Sequence, residues 1–146
     1  MFGMASLPTA LSPQQHRVPA PNYRLDPRYA AIRLFFDKCS CPASQYADEF
    51  LAVADTFTLD WRLLPSISFV ESTGGKAGRN NNIFGWDSGR AQFPTPVAGI
   101  YTVGYRLAHS GIYRDKGLDR LLATYNRDAD YGRKVKSVMR RIAPVQ

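Results

Sequence analysis

The stretch from Asp60 to Trp86, DWRLLPSISFVESTGGKAGRNNNIFGW, limits what this chain can become more than any other. Leu64, Ile67 and Glu71 recur at spacings of three and four, which places them on one face of an amphipathic helix. That face should be buried, yet its last member is a carboxylic acid. The helical pattern ends straight after it, at Ser72-Thr73-Gly74-Gly75. A polar run and the aromatic segment Phe84-Gly85-Trp86 follow. An acid at the end of a buried helix, beside a loop carrying asparagines and aromatic rings, reads as one wall of a cleft.

The flanking sequence is helical in pattern. Asp26 and Pro27 form a helix start, and Tyr29, Ile32, Phe35 and Phe36 make an apolar stripe to about Lys38. A second helix is expected from Pro42, with Tyr46, Phe50, Val53, Ala54 and Phe57 inward. Asp60 is expected to cap the third, where Pro65 removes a donor and predicts an irregular first turn. Thr95 and Pro96 open a fourth, with Val97, Ile100, Tyr101, Gly104, Leu107 and Ala108 on one face. A fifth spans about 117–127. The last, capped by Asp128 or Asp130, turns Tyr131, Val135, Val138 and Ile142 inward and Arg133, Lys134, Lys136, Arg140 and Arg141 outward.

Between these helices, residues 73–95 hold five glycines, three consecutive asparagines and Pro94, so no helix fits. A short strand at Asn82–Trp86 paired with Ala91–Phe93 is the most regular structure expected. The fold class is therefore mainly α: about six helices with a small irregular or β-hairpin lobe. Residues 1–27 contain five of the ten prolines and little apolar period, and read as an extended leader before one domain over 28–146.

Charge and cysteines narrow the function classes. Nineteen basic against 12 acidic residues give +7, which favours an anionic partner or simply a solvated basic face. Without a nucleic-acid-binding motif, the basic positions of 133–141 do not point to DNA or RNA. Cys39-Ser40-Cys41 has one intervening residue, a poor spacing for a disulfide, and lacks the second ligand pair of a zinc site, so free thiols are expected. No apolar run reaches the roughly 20 residues of a membrane span, and the opening MFGMASLPTALSPQQ lacks the basic and apolar regions of a signal peptide. No metal or cofactor motif is present: His16 and His109 have no partners, Gly74-Gly75-Lys76 lacks a phosphate-loop context, and Ser72 lacks a nucleophile elbow.

Glu71 has two readings. Burial disfavours its ionised form, which would suit a general acid near neutral pH; a half-buried glutamate paired with an arginine fits position equally well. Tyr125-Asn126 ends a helix and reads as a core tyrosine with an Asn cap, or as a second wall of the same cleft. Asn80, Asn81 and Asn82 read as a turn. Phe84 and Trp86 are core residues or surfaces on which sugar rings stack.

Taken together, Leu63 to Ser72, the Gly-rich stretch, Asn82-Ile83-Phe84-Gly85-Trp86 and the later Tyr125-Asn126 resemble the lysozyme-like fold of bacterial wall-degrading enzymes, in particular soluble lytic transglycosylases and related endo-β-N-acetylglucosaminidases. The resemblance covers roughly residues 43–142. It implies a monomeric, cofactor-free enzyme of the cell envelope or exterior that cleaves peptidoglycan or a similar β-1,4-linked N-acetylhexosamine glycan. Glu71 would protonate the glycosidic oxygen, Phe84-Gly85 would shape the sugar site and Tyr125 would lie near the acid. Ser72, Asn82, Trp86 and Asn126 complete the expected substrate contacts. The sequence departs from a two-carboxylate scheme: between Ser72 and Arg114 the only acid is Asp87, a catalytic assistant or a turn residue. With no second carboxylate, the substrate's N-acetyl group would serve as internal nucleophile, giving hydrolysis or an anhydro product. The alternative is a non-catalytic glycan-binding or scaffold domain.

Overall fold

Leu63 to Ser68 are all buried, and this six-residue segment has no exposed face. A helical segment with no exposed face must be enclosed, and the computed structural model, which describes residues 21–144, contains six α-helices in all. In chain order they are α1 (Pro27–Lys38), α2 (Ala47–Phe57), α3 (Leu63–Ser72), α4 (Pro96–His109), α5 (Leu118–Tyr125) and α6 (Tyr131–Ile142). The fold is mainly helical, with six α-helices and no sheet among the described residues. α3 packs chiefly on α6, and α2 on α4; α1 bridges α2 and α6, and α5 lies on α6. Phe36, Phe50, Leu64, Ile67, Phe84 and Leu122 are among the fully buried side chains at the centre.

Two of the six α-helices, α1 and α4, start on the cap chemistry of the chain. Asp26 accepts from Arg28 N at 2.9 Å with Pro27 in the first turn of α1, and Thr95 Oγ1 accepts from Ala98 N at 3.0 Å ahead of α4. On α6 the four expected inward residues are buried, joined by Met139. Gly104 decides how α4 meets α2: a Cβ there would overlap Val53 Cγ1 and come 3.4 Å from Leu64 Cδ1.

Several expectations are corrected. Pro65 causes no irregularity, because α3 begins at Leu63 and Pro65 is its third residue, where the missing N–H would have no intrahelical partner anyway. Asp60 does not cap α3 itself; it accepts from Arg62 N at 2.9 Å in the turn before it. Neither Asp128 nor Asp130 caps α6 through its side chain. The buried face of α4 is centred on Gly99, Ile100, Val103, Gly104 and Leu107, leaving Val97 and Tyr101 exposed. The second helix is preceded by a 3₁₀ turn, Pro42–Tyr46.

Residues 1–20 of the expected leader lie outside the described residues, but its end is not extended. Tyr23–Leu25 forms a 3₁₀ turn, Tyr23 is buried, and its hydroxyl donates to Asp55 Oδ2 at 3.1 Å. Arg28 pairs with both Asp26 and Asp55, tying this segment to α1 and α2. Cys39 and Cys41 form a disulfide rather than free thiols. Ser40, at φ +51°, curls the chain so that the two Cα atoms lie 5.4 Å apart, inside the range a disulfide spans.

The expected pairing of Asn82–Trp86 with Ala91–Phe93 does not form. Asn80, Asn81, Gly85, Asp87, Ser88 and Gly89 all have positive φ, which bends the chain too often for a strand. One antiparallel bridge, Arg79 with Asn82, is its only pairing. Side chains close the loop instead: Asn82 Nδ2 donates to Trp86 O (3.0 Å) and Ala91 O (3.1 Å), while its Oδ1 accepts from Trp86 N (3.0 Å). Asn81 Nδ2 donates to Phe93 O at 3.0 Å.

Because α4 approaches α2 only where Gly104 leaves room, Gly104→Ala is expected to cost about 1–3 kcal/mol through overpacking. Urea unfolding monitored by far-UV circular dichroism should show a lower midpoint with an unchanged m-value; a wild-type midpoint would contradict the contact.

Candidate active site

Glu71 sits in the last turn of α3 and is half-buried. The helix ends two residues later because Thr73 turns left-handed, at φ 52° and ψ 51°. The loop that returns over the acid is fastened by its neighbour. Ser72 Oγ donates to Ile83 O at 2.6 Å and accepts from Gly75 N at 2.9 Å. This brings Gly85 against the carboxyl group. At Gly85 φ is +59°, and a Cβ there would stand 2.5 Å from Glu71 Oε2 and 3.1 Å from its Cδ. Only glycine suits this position on both counts.

Aromatic residues form the rest of the surround. Tyr125, at the end of α5, donates its hydroxyl to Phe84 O at 2.5 Å. The Tyr125 and Tyr131 rings stack, with centroids 5.8 Å apart and planes 2° from parallel. Trp86 lies 5.7 Å from Tyr125 and 6.0 Å from Tyr113, centroid to centroid. Tyr131 is 3% exposed, and its hydroxyl meets no group in hydrogen-bond geometry. It nevertheless lies close enough to Glu71 to favour the ionised carboxylate.

Burial is the larger influence and pushes the Glu71 pKa above the usual glutamate value; the Tyr131 hydroxyl opposes it. Burial likewise raises Tyr125 and Tyr131, with the Glu71 charge acting in the same direction, so both phenols stay protonated. The site therefore holds an acid that keeps its proton to higher pH than an exposed glutamate.

Open space lies in front of it. A cleft of about 470 Å³ is lined by Glu71, Gly85, Ser88, Gly89, Tyr125, Asn126 and Arg127. A second hollow of about 470 Å³ shares Gly85, Ser88 and Tyr125 with it and continues past Trp86, Asp87, Arg106 and Tyr113. The two adjoin at these three residues, and only the first is lined by the acid. Another hollow, about 660 Å³, lies between the start of α1 and the turn before α3 and shares no lining residue with these two. Its arginines are already paired: Arg28 with Asp26 and Asp55, Arg62 with Asp60.

The structure thus brings together Glu71, Gly85, Trp86, Tyr125 and Asn126. Asn126 is exposed on the cleft, and its Oδ1 accepts from Asp128 N at 2.9 Å. Three expected substrate contacts are corrected. Ser72 is 4% exposed and its hydroxyl is spent on the loop; Asn82 is 4% exposed and spent on Trp86 and Ala91. The Phe84 ring is fully buried, edge-on to Phe50, and only its carbonyl serves the site. Asp87 is exposed at φ +52°, holds Arg90 at 2.8 Å, and lines the outer hollow rather than the cleft containing Glu71.

Sequence reasoning gave no site role to Tyr131, Tyr113, Ser88, Gly89 or Arg127. The inward register of Tyr131 on α6 was the one available signal. Among the described residues, no group of three or more His, Cys, Asp or Glu side chains is placed to hold a metal, and no helix is long and apolar enough to cross a membrane. Comparison of the chain with protein-family models, curated proteins and solved structures gives no match.

The raised Glu71 pKa has a sign in stability. Between the ordinary glutamate value and the raised one, the folded chain binds more protons than the unfolded chain, so this contribution is full at low pH and disappears as pH rises through the folded value. Glu71→Gln removes it. The denaturation midpoint of the variant relative to wild type is expected to be higher at pH 7 than at pH 4; a difference independent of pH would show that Glu71 is not held protonated.

Proposed function

We propose that the protein is a glycoside-cleaving enzyme acting on peptidoglycan or a related β-1,4-linked N-acetylhexosamine glycan, with Glu71 as general acid. One observation carries this reading: a half-buried carboxyl group of raised pKa, seated on the Gly85 backbone, opens into a cleft bordered by Tyr125 that adjoins a hollow bordered by Trp86. Aromatic faces are suited to the apolar faces of sugar rings, and a glutamate held protonated by burial is suited to a glycosidic leaving group. The order of the Glu-Ser, Asn-Ile-Phe-Gly-Trp and Tyr-Asn segments, which resembles lytic transglycosylases and endo-β-N-acetylglucosaminidases, adds the substrate class. Its place of action would then be the cell envelope or exterior.

In this mechanism protonated Glu71 gives its proton to the glycosidic oxygen as the C1–O bond breaks. Glu71 is the one carboxylate lining its cleft, and Asp87 is occupied by Arg90. The attack on C1 therefore falls to the substrate, through the oxygen of its N-acetyl group. The Glu71 carboxylate then takes the proton of an incoming water, giving hydrolysis, or of the sugar's own 6-hydroxyl, giving a 1,6-anhydro end. Tyr125, fixed through Phe84 O, walls the cleft beside the acid, and Tyr131 lies close to the carboxyl.

The lone carboxylate also favours a second reading, a glycan-binding domain without turnover. Digestion of purified wall separates the two. Wild type should release soluble glycan, and Glu71→Gln, folded by circular dichroism, should be slower by about 10²- to 10⁴-fold, the usual contribution of a positioned acid. Equal release by both, or none by wild type, rejects the catalytic reading, and mass spectrometry of the new ends distinguishes hydrolysis from anhydro formation. Tyr131→Phe removes the group that favours ionised Glu71, so the alkaline limb of the pH–rate profile should move to higher pH; a shift to lower pH would contradict the assignment.

A further inference from the structure

A second groove, of about 440 Å³, runs between α3 and α6 and shares no lining residue with the Glu71 cleft. Phe69 and Val70 of α3 are half-buried along it, and Thr73 and Ser137 add hydroxyls. Lys134 and Arg141 project from α6 on its rim. They are seven residues apart, two helical turns, or about 10 Å along the axis.

The charge here is not neutralised internally. α6 contains five basic residues and no acidic one. All 12 acidic residues of the chain fall within the described part, and their ion pairs on α6 reach only Arg133, through Asp130, and Lys136, through Asp119. Among the described residues, Lys134 and Arg141 have no carboxylate partner. Arg141 is nonetheless held in place, its guanidinium 5.2 Å from the Phe35 ring centroid and 5.5 Å from that of Phe69. An arginine fixed by ring faces keeps its planar fork of N–H donors for an outside carboxylate, and little side-chain freedom is left to lose on binding.

We infer that the α3–α6 groove is a second glycan site, which holds a strand of acidic polysaccharide through Lys134 and Arg141 while catalysis proceeds elsewhere. The occupant is a β-1,4-linked glycan bearing one carboxylate per disaccharide. The two cations are separated by about the length of one extended disaccharide, so successive carboxylates of such a strand reach successive cations. Between them Phe69 and Val70 offer apolar surface to a sugar face, and Thr73 and Ser137 offer hydroxyls to its polar edge. The choice of a glycan over another polyanion rests on the proposed function; the site itself does not require Glu71.

Co-sedimentation of the full chain with insoluble wall tests this. Glu71→Gln is used as background so that nothing is cleaved, and the same wall with its carboxyl groups amidated serves as the uncharged twin. Lys134→Gln/Arg141→Gln should weaken binding to acidic wall at least tenfold and leave binding to amidated wall unchanged. Lys134→Arg/Arg141→Lys, which keeps the charges, should retain most of the affinity. Placed in the wild-type background, the Gln pair should leave cleavage of a short neutral oligosaccharide at the wild-type rate. Unchanged binding by the folded Gln variant, or equal retention of acidic and amidated wall by its parent, overturns the inference. So does duplex DNA that displaces the glycan at equal ionic strength and loses binding with the same two substitutions. If wild type cleaves nothing yet the groove variants lose the wall, the site stands and the catalytic reading falls; the reverse pattern removes the groove alone.

Discussion

A helix without a solvent face needs partners on every side, and Leu63 to Ser68 impose that demand on the rest of the chain. The arrangement of α6, α2 and the loop ending at Phe84 follows from it. The polar end of α3 escapes the enclosure only at its last turn, where Glu71 is half-buried. Its position near the helix C-terminus adds a second electrostatic influence. The carbonyl end of the helix dipole is negative, so it disfavours a carboxylate there and acts in the same direction as burial. The hydrophobic packing that builds the core thus also prepares the acid.

Much of the surrounding polar chemistry is spent on geometry. Ser72 fastens the loop to α3, Tyr125 fastens α5 to the same loop through Phe84 O, and Asn82 closes the loop on itself. The Tyr125 bond reaches farthest, joining residues 41 positions apart. They leave Glu71 facing a groove whose walls are set before any ligand arrives, which lowers the ordering cost of binding.

How much of this was legible depended on whether the information was periodic. The inward residues of α6 and the starts of α1 and α4 follow from spacing and cap chemistry, and they agree with the structure. Glu71 was found for the same reason, as an acid on an apolar face. The loop was not, because its order comes from side-chain amides bonding to backbone rather than from alternation, and Asn82 looks like any turn residue until Ala91 is placed beside it. Ser72, Asn82 and Phe84 are expected at the ligand from the resemblance, whereas their side chains are used up inside the protein. The cysteine spacing misled because the left-handed conformation of Ser40 is not written in its identity. Tyr131 could be read as inward, but only the packing of α6 on α3 sets its hydroxyl beside Glu71.

The Asn82 amide grips the chain at Trp86 and again at Ala91, so the four residues between them form a tip attached at both ends to a single side chain. Asp87 to Arg90 are all exposed, and the salt bridge in this tip joins two of its own members. The tip is tied back to the seat of Glu71, because Gly89 N donates to Gly85 O at 3.0 Å, and its inner edge, Ser88 and Gly89, borders the cleft. A change in its length alters the edge of the groove and, through Gly85, reaches the backbone on which the acid rests. Within this fold, the edge of the groove and the seat of the acid are therefore joined through one glycine.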